Sequence, residues 1–95
     1  MKDLQDIRRE LDELDGEMVA LFEKRMNLSR AVAEYKMAAG MPVLDRSREE
    51  QVLISRAAKL QDPYWEKDIR ALYECIMALS RAEQEKMLRE VQGDA

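Results

Sequence analysis

Apolar side chains recur along the first forty residues in alternating steps of three and four. This spacing is typical of a heptad repeat on one face of a helix, sustained here over about four heptads. It predicts a helix over residues 3–38, on the order of 50 Å long. Because a compact chain of about 100 residues has a radius of gyration of only about 13 Å, we expect the apolar stripe to need a second molecule. The stripe comprises Leu4, Ile7, Leu11, Leu14, Met18, Leu21, Leu28 and Val32.

Breaker and capping residues predict a second, shorter helix. Gly40 suits the position just after a helix end, and Pro42 cannot continue the helix. Ser47 with Glu50 three residues later fits a capping box, so a helix is expected over roughly residues 47–60.

The third helix is expected to begin with Asp62 as its N-cap and Pro63 in its first turn. Its apolar positions include Ile69, Leu72, Tyr73, Ile76, Leu79 and Met87. The pattern therefore predicts an all-α fold with three helices, long, short and long, in a single domain over residues 1–95.

Composition excludes several classes of function. The net charge is −4 with acids and bases interspersed, so nucleic acid is not an expected partner. No apolar run is long enough for a bilayer and the N-terminus does not resemble a signal peptide, so no membrane association and a cytoplasmic location are expected. With no His and Cys75 alone, the sequence predicts no metal, no cofactor and no Ser-His or Cys-His catalysis.

Two basic residues interrupt the long apolar stripe. Arg25 occupies a core position of the heptad repeat, where an unpaired charge costs several kcal/mol. It either extends to solvent or pairs with a partner's carboxylate, or it is a cation kept in a cavity to bind an anion. Lys36 lies eleven residues on and returns to nearly the same face, although a solvated lysine at a helix end is the simpler interpretation.

Other polar residues are weaker candidates. Arg8 lies about 25 Å before Arg25 along the helix, so it could share a site with Arg25 only across two antiparallel chains. Its position alone favours an exposed arginine without a role in a site. Arg48 stands at a helix N-terminus, where a cation is unfavourable. Ser80 and Gln84 share a face of the third helix, although Ser80 could simply bond to its own helix backbone.

The combination of these residues resembles the all-helical class of chorismate mutase. The resemblance covers residues 4–84, in order and with family-like spacing. It is carried by segments 7–15, 21–25 and 35–36 of the first helix, 42–49 of the loop and 76–84 of the last helix.

The resemblance implies two intertwined chains, a homodimer, that convert chorismate to prephenate in phenylalanine and tyrosine biosynthesis. Lys36 and Gln84 would bind the ether oxygen. Asp45, through its backbone, and Glu49 would hold the ring hydroxyl. The substrate carboxylates would be bound by Arg25, by Ser80, by Arg48 in a supporting role, and by Arg8 reaching into the partner's site.

Two alternatives remain open from the sequence. An isochorismate-pyruvate lyase resembles the same fold and uses a similar cationic pocket. A non-catalytic helical dimerisation or regulatory module would also explain the heptads, but it would not explain why Arg25, Lys36, Arg48, Ser80 and Gln84 occur together.

Overall fold

The computed structural model describes residues 1–93. Helix α1 spans Leu4–Ala39, α2 spans Arg46–Ala57, and α3 spans Glu66–Gly93 after a 3₁₀ turn at Pro63–Trp65. No strand occurs in this range. The predicted all-α class and the long, short, long order of helices are confirmed.

Helix α1 ends where the sequence predicts, because Gly40 reverses the backbone. Its φ and ψ are 67° and 27°, in the left-handed region that a residue without Cβ adopts most easily. The N–H of Met41 donates to the Lys36 carbonyl at 2.8 Å, and the N–H of Gly40 donates to the Met37 carbonyl at 3.4 Å. This pair of bonds is a Schellman motif, which satisfies carbonyls left unpaired at the helix end.

Helix α2 begins at Arg46, one residue before the predicted start, because its N-cap is Asp45 and not Ser47. The Asp45 Oδ1 atom accepts a hydrogen bond of 3.0 Å from the backbone N–H of Arg48. The predicted capping box of Ser47 and Glu50 is therefore wrong, since both residues lie inside the helix. A carboxylate at the N-cap satisfies a backbone donor and also suits the positive end of the helix dipole.

Asp62 acts as the predicted cap, but it caps a 3₁₀ turn rather than α3 itself. Its Oδ1 atom accepts from the Tyr64 N–H at 3.0 Å. The chain then continues into α3 at Glu66. The fixed φ of Pro63 suits this first turn, in which no intrahelical donor is lost.

The buried face of α3 is more polar than its apolar pattern predicts. Its buried residues are Met77, Ser80, Gln84 and Met87, spaced by three and four. Leu72 and Leu79, expected on the apolar face, are exposed in the single chain. The face that packs within the chain thus carries two polar side chains, and a second apolar face is left uncovered.

Helices α1 and α2 both pack against α3, and the N-terminal part of α1 projects beyond them. Residues 1–24 are all exposed, whereas Ser29 and Ala33 are buried. The chain measures 60 × 27 × 15 Å, with a radius of gyration of 17.1 Å against about 12 Å for a compact chain of this length. Its accessible surface is 7751 Å², well above the roughly 5,700 Å² expected of a compact monomer of this mass.

Within residues 1–93, no helix combines the length and the apolar composition needed to cross a bilayer.

Candidate functional site

A cavity of about 320 Å³ lies where the three helices meet. All of the predicted site residues except Arg8 line it, namely Arg25, Lys36, Asp45, Arg48, Glu49, Ser80 and Gln84. Arg8 is exposed on the projecting part of α1 and does not line this cavity. The volume lies in the range of small-molecule sites, about 300–1,000 Å³.

Helical spacing explains how α1 and α3 face the cavity. The α1 residues Arg25, Ser29, Val32 and Lys36 follow one another by four, three and four positions, so they share one face. On α3, Met77, Ser80 and Gln84 follow one another by three and four positions, and Arg81 lies four positions after Met77 and three before Gln84. Each helix therefore presents three polar side chains and at least one apolar side chain to the same space.

Arg25 is held at the cavity by contacts with α3. Its Nη1 atom donates to the Ser80 hydroxyl at 3.2 Å, and its guanidinium carbon lies 5.8 Å from the centre of the Tyr73 ring. The Ser29 hydroxyl donates to the same Ser80 oxygen at 3.0 Å. These contacts use one of the five Arg25 donors, so the remaining donors are available for an anion.

Lys36 connects α1 to the loop before α2. Its Nζ atom donates to the Val43 carbonyl oxygen at 2.7 Å, and its side chain is half-buried. An ammonium group has three donors, so this bond orients the group and leaves two donors for a ligand. The simpler interpretation of Lys36 as a solvated residue at the helix end does not fit, because the side chain is half-buried and its ammonium group bonds to Val43.

Gln84 is the deepest polar side chain with unused hydrogen-bonding capacity. It is 7% exposed, and its Oε1 atom has no partner among the described residues. A buried polar atom left unpaired costs about 1–3 kcal/mol, so such atoms in native proteins call for an explanation. Because Gln84 lines the cavity, a molecule bound there could supply the partner that its Oε1 atom lacks.

The first turn of α2 contributes three cavity residues. The Asp45 side chain is occupied by the cap, and its carbonyl accepts from the Glu49 N–H at 3.0 Å. The backbone N–H of Asp45 is therefore the group that could donate a hydrogen bond to a ligand. The Arg48 side chain is exposed and donates to the Gln51 Oε1 atom at 2.8 Å. The Glu49 carboxylate forms an ion pair with Arg81 of α3.

Sequence reasoning missed two polar residues of the cavity, Ser29 and Arg81. A signal for each was present, since Ser29 lies one turn after Arg25 and Arg81 lies one turn before Gln84. Both residues share a helix face with a residue that was predicted.

The cavity has a positive formal charge. Its lining includes four basic side chains, Arg25, Lys36, Arg48 and Arg81, and two acidic ones, Asp45 and Glu49. The resulting formal charge of +2 complements a small dianion. Arginine also offers paired donors that match a carboxylate.

Comparison with known proteins agrees with the family resemblance that the sequence predicts. The family model described as chorismate mutase type II matches residues 7–85, most of the chain. The chain belongs to this family. The match includes the α1, α2 and α3 residues of the cavity described above.

Individual chorismate mutases match over shorter segments. The intracellular chorismate mutase of Mycolicibacterium smegmatis is 37% identical over 51 residues, which is 54% of this chain and 49% of that protein. The chorismate mutase of Methanocaldococcus jannaschii is 37% identical over 49 residues, covering 52% of this chain and 50% of that protein. The matched segments thus span about half the length of these relatives.

A third relative is much longer. The T-protein of Haemophilus influenzae is 39% identical over 56 residues, covering 59% of this chain and 15% of that protein. No solved structure matches the chain significantly. Neither the family model nor these relatives favour the isochorismate-pyruvate lyase or the non-catalytic module.

Proposed function

We propose that this protein is a chorismate mutase, which rearranges chorismate to prephenate in the biosynthesis of phenylalanine and tyrosine. The observation that carries the proposal is the convergence of Arg25, Lys36, Glu49, Ser80 and Gln84 around one cationic cavity. The names of the relatives in Mycolicibacterium smegmatis and Methanocaldococcus jannaschii support the same activity.

The chemistry requires the kind of site that the cavity offers. Chorismate becomes prephenate in one intramolecular step, in which a carbon–oxygen bond breaks and a carbon–carbon bond forms. No proton transfer and no covalent intermediate are needed, so a site without a nucleophile or a histidine is sufficient. The site must hold the enolpyruvyl arm over the ring and stabilise negative charge that develops on the ether oxygen.

Binding of the two carboxylates is assigned to the cationic side chains. Arg25, oriented by Ser80, binds one carboxylate, and Arg48 supports the carboxylate pocket from the first turn of α2. Arg8 reaches a carboxylate in the site of a partner chain. Its exposed position on the projecting part of α1 leaves it free to do so.

Stabilisation of the ether oxygen is assigned to Lys36 and Gln84. Both lie on the cavity, and both can donate to an oxygen, Lys36 through its free ammonium donors and Gln84 through its Nε2 N–H groups. The unpaired Oε1 atom of Gln84 is an acceptor and cannot itself bind the ether oxygen. A donor preorganised in a dry site is worth about 3–4 kcal/mol on the precedent of oxyanion holes. The ring hydroxyl is held by the Asp45 backbone N–H and the Glu49 carboxylate.

The active form is a homodimer that shares its α1 helices. The argument rests on the exposed apolar stripe, since Leu11, Leu14, Met18 and Leu21 are each at least 49% exposed in the single chain. Burying such a side chain fully is worth about 1.5–3 kcal/mol. Sedimentation equilibrium should give twice the chain mass, and a monomer at every concentration would contradict the dimer.

We propose a cytoplasmic location for the protein.

The decisive experiment incubates the purified protein with chorismate and follows the loss of its ultraviolet absorbance while the product is identified. We expect prephenate to form well above the uncatalysed rate, and the Arg25→Ala variant serves as the inactive control. If a folded dimer does not convert chorismate, the proposal is wrong. Turnover of isochorismate instead would identify the lyase, and no turnover of either would favour a binding or regulatory module.

A further inference from the structure

The ion pair between Glu49 and Arg81 joins α2 to α3 at the cavity wall. The Arg81 Nη1 atom donates to both carboxylate oxygens of Glu49. The side chains are 25% and 32% exposed, so the pair is largely shielded from solvent. Among the ion pairs of residues 1–93, it is the one whose two members both line the cavity.

The pair also separates two spaces. Glu49, Met77 and Arg81 line the cavity and, in addition, a depression of about 450 Å³ on the surface between α2 and α3. These three side chains therefore form the partition between the two spaces. A carboxylate in such a partition can turn toward either space unless something holds it.

An unpaired Glu49 would be harmful in a site for a dianion. Its negative charge would repel the substrate and attract Arg25, Lys36 or Arg48 away from their contacts with the substrate, because charges interact strongly in a shielded site. Arg81 supplies a balancing charge. Without Arg81, the formal charge of the cavity would fall from +2 to +1.

The geometry of the pair leaves Glu49 able to act. A carboxylate has about four lone-pair sites, and one arginine nitrogen approaches both oxygens here. Each oxygen can thus still accept a hydrogen bond from a hydroxyl group in the cavity. Arg81 restrains the orientation of Glu49 without using up its acceptor capacity.

We propose that Arg81 is a positioning residue, which holds the Glu49 carboxylate in the orientation that accepts the ring hydroxyl of chorismate and balances its charge. This inference rests on the proposed function, because it deepens the role of Glu49 there. Arg81 acts through Glu49 and makes no contact of its own with the substrate.

The first test compares Arg81→Met with Arg30→Met in chorismate turnover. Arg30 is a matched control, since it also forms an ion pair between helices, with Glu83 at 3.6 Å, and does not line the cavity. We expect Arg81→Met to raise KM about tenfold or more with little change in kcat, because the hydroxyl contact is made equally before and during the reaction. Arg30→Met should have the same KM and kcat as the unmodified protein.

Two further measurements separate positioning from a general structural effect. In a double-mutant cycle, Arg81→Met should add nothing to the loss caused by Glu49→Gln. With the chorismate analogue that lacks the ring hydroxyl, Arg81→Met and the unmodified protein should have equal KM values. If the losses caused by Arg81→Met and Glu49→Gln add, Arg81 does not act through Glu49 and the proposal is wrong. The same holds if Arg81→Met raises the KM for the analogue as much as the KM for chorismate.

Failures of the two proposals can be told apart. Circular dichroism checks the fold, and if Arg81→Met is unfolded, Arg81→Lys replaces it throughout, since a point charge should restore only part of the affinity. If the unmodified protein neither converts nor binds chorismate in calorimetric titration, the proposed function fails and this inference with it. If the unmodified protein is active and Arg81→Met matches Arg30→Met, only the inference on Arg81 fails.

Discussion

Ser80 links the packing of α3 to the orientation of the cavity cations. Its hydroxyl is 6% exposed, accepts from Arg25 and Ser29, and lies 3.9 Å from the Met26 sulfur. A buried hydroxyl needs such partners, so its bonds hold Arg25 beside the Tyr73 ring. The cation is oriented before any ligand binds, which lowers the entropy cost of binding.

Loss of Arg25 should remove most of the activity. We expect Arg25→Ala to lower kcat/KM by about a thousandfold, because a charge-assisted, paired contact to a carboxylate is lost in a shielded site. The kcat/KM of Arg25→Lys should lie between those of Arg25→Ala and the unmodified protein, since lysine keeps the charge without the paired donors. Steady-state kinetics with chorismate measures both, and normal activity of Arg25→Ala would show that the site is assigned wrongly.

Loss of Lys36 should act on the chemical step. We expect Lys36→Met, which preserves the apolar stem, to lower kcat about 100- to 1,000-fold through loss of transition-state stabilisation. Lys24→Met on the exposed side of the same helix is the control and should be unaffected. A change confined to KM would mean that Lys36 only binds substrate.

At the scale of elements, two helix ends shape the loop that brings α2 to the cavity. The Schellman motif at Gly40 turns the chain away from α1, and the Asp45 cap starts α2 only five residues later. Between them, the Val43 carbonyl meets the Lys36 ammonium. The loop geometry thus orients a cavity residue on α1 and sets where Glu49 emerges on α2.

The helix end at Gly40 should be sensitive to a side chain. A Cβ atom there would meet no other atom within 4 Å, so the cost of Gly40→Ala is conformational and should lower the free energy of unfolding by about 1 kcal/mol. Gly16→Ala, inside α1 and equally free of contacts, should raise it by about 0.5–1 kcal/mol. Urea denaturation measures both, and the same sign for both variants would contradict this account of Gly40.

At the scale of the whole molecule, the chain is too extended to bury its own apolar surface. Among residues 1–93, the buried hydrophobic side chains are those of Ala33, Val52, Met77 and Met87, while most of the α1 stripe is exposed. Stability gained by association would therefore form a large share of the total. A shared α1 pair would also explain how Arg8, far along the helix from Arg25, could take part in a site.

Mixed dimers test the shared site directly. Arg8→Ala and Arg25→Ala chains should each be inactive alone, yet mixing them should restore activity, because one of the two sites in a heterodimer carries neither change. Random pairing predicts about a quarter of the unmodified activity per chain. Verified heterodimers that stay inactive would show that Arg8 does not complete the partner's site.

Local patterns in the sequence were sufficient for the helices, whereas the residues of the cavity were predicted together only from the resemblance of the chain to chorismate mutases. Heptad spacing predicted α1, Gly40 predicted its end, and the spacing of Arg25 and Lys36 placed them on one face. These inferences succeed because periodicity and backbone geometry act over a few residues. The error at the start of α2 arose because Asp45 and Ser47 are both good N-caps, and local sequence does not rank two adequate caps.

The tertiary structure alone decided which groups meet across helices. The sequence determined that α1 carries cations on an apolar face and that α3 carries Ser80 and Gln84 on one face. It did not determine that Arg25 bonds to Ser80 or that Arg81 pairs with Glu49, 55 and 32 residues apart in the chain. Those partners depend on how the helices cross, and the crossing is set by the combined packing of many side chains.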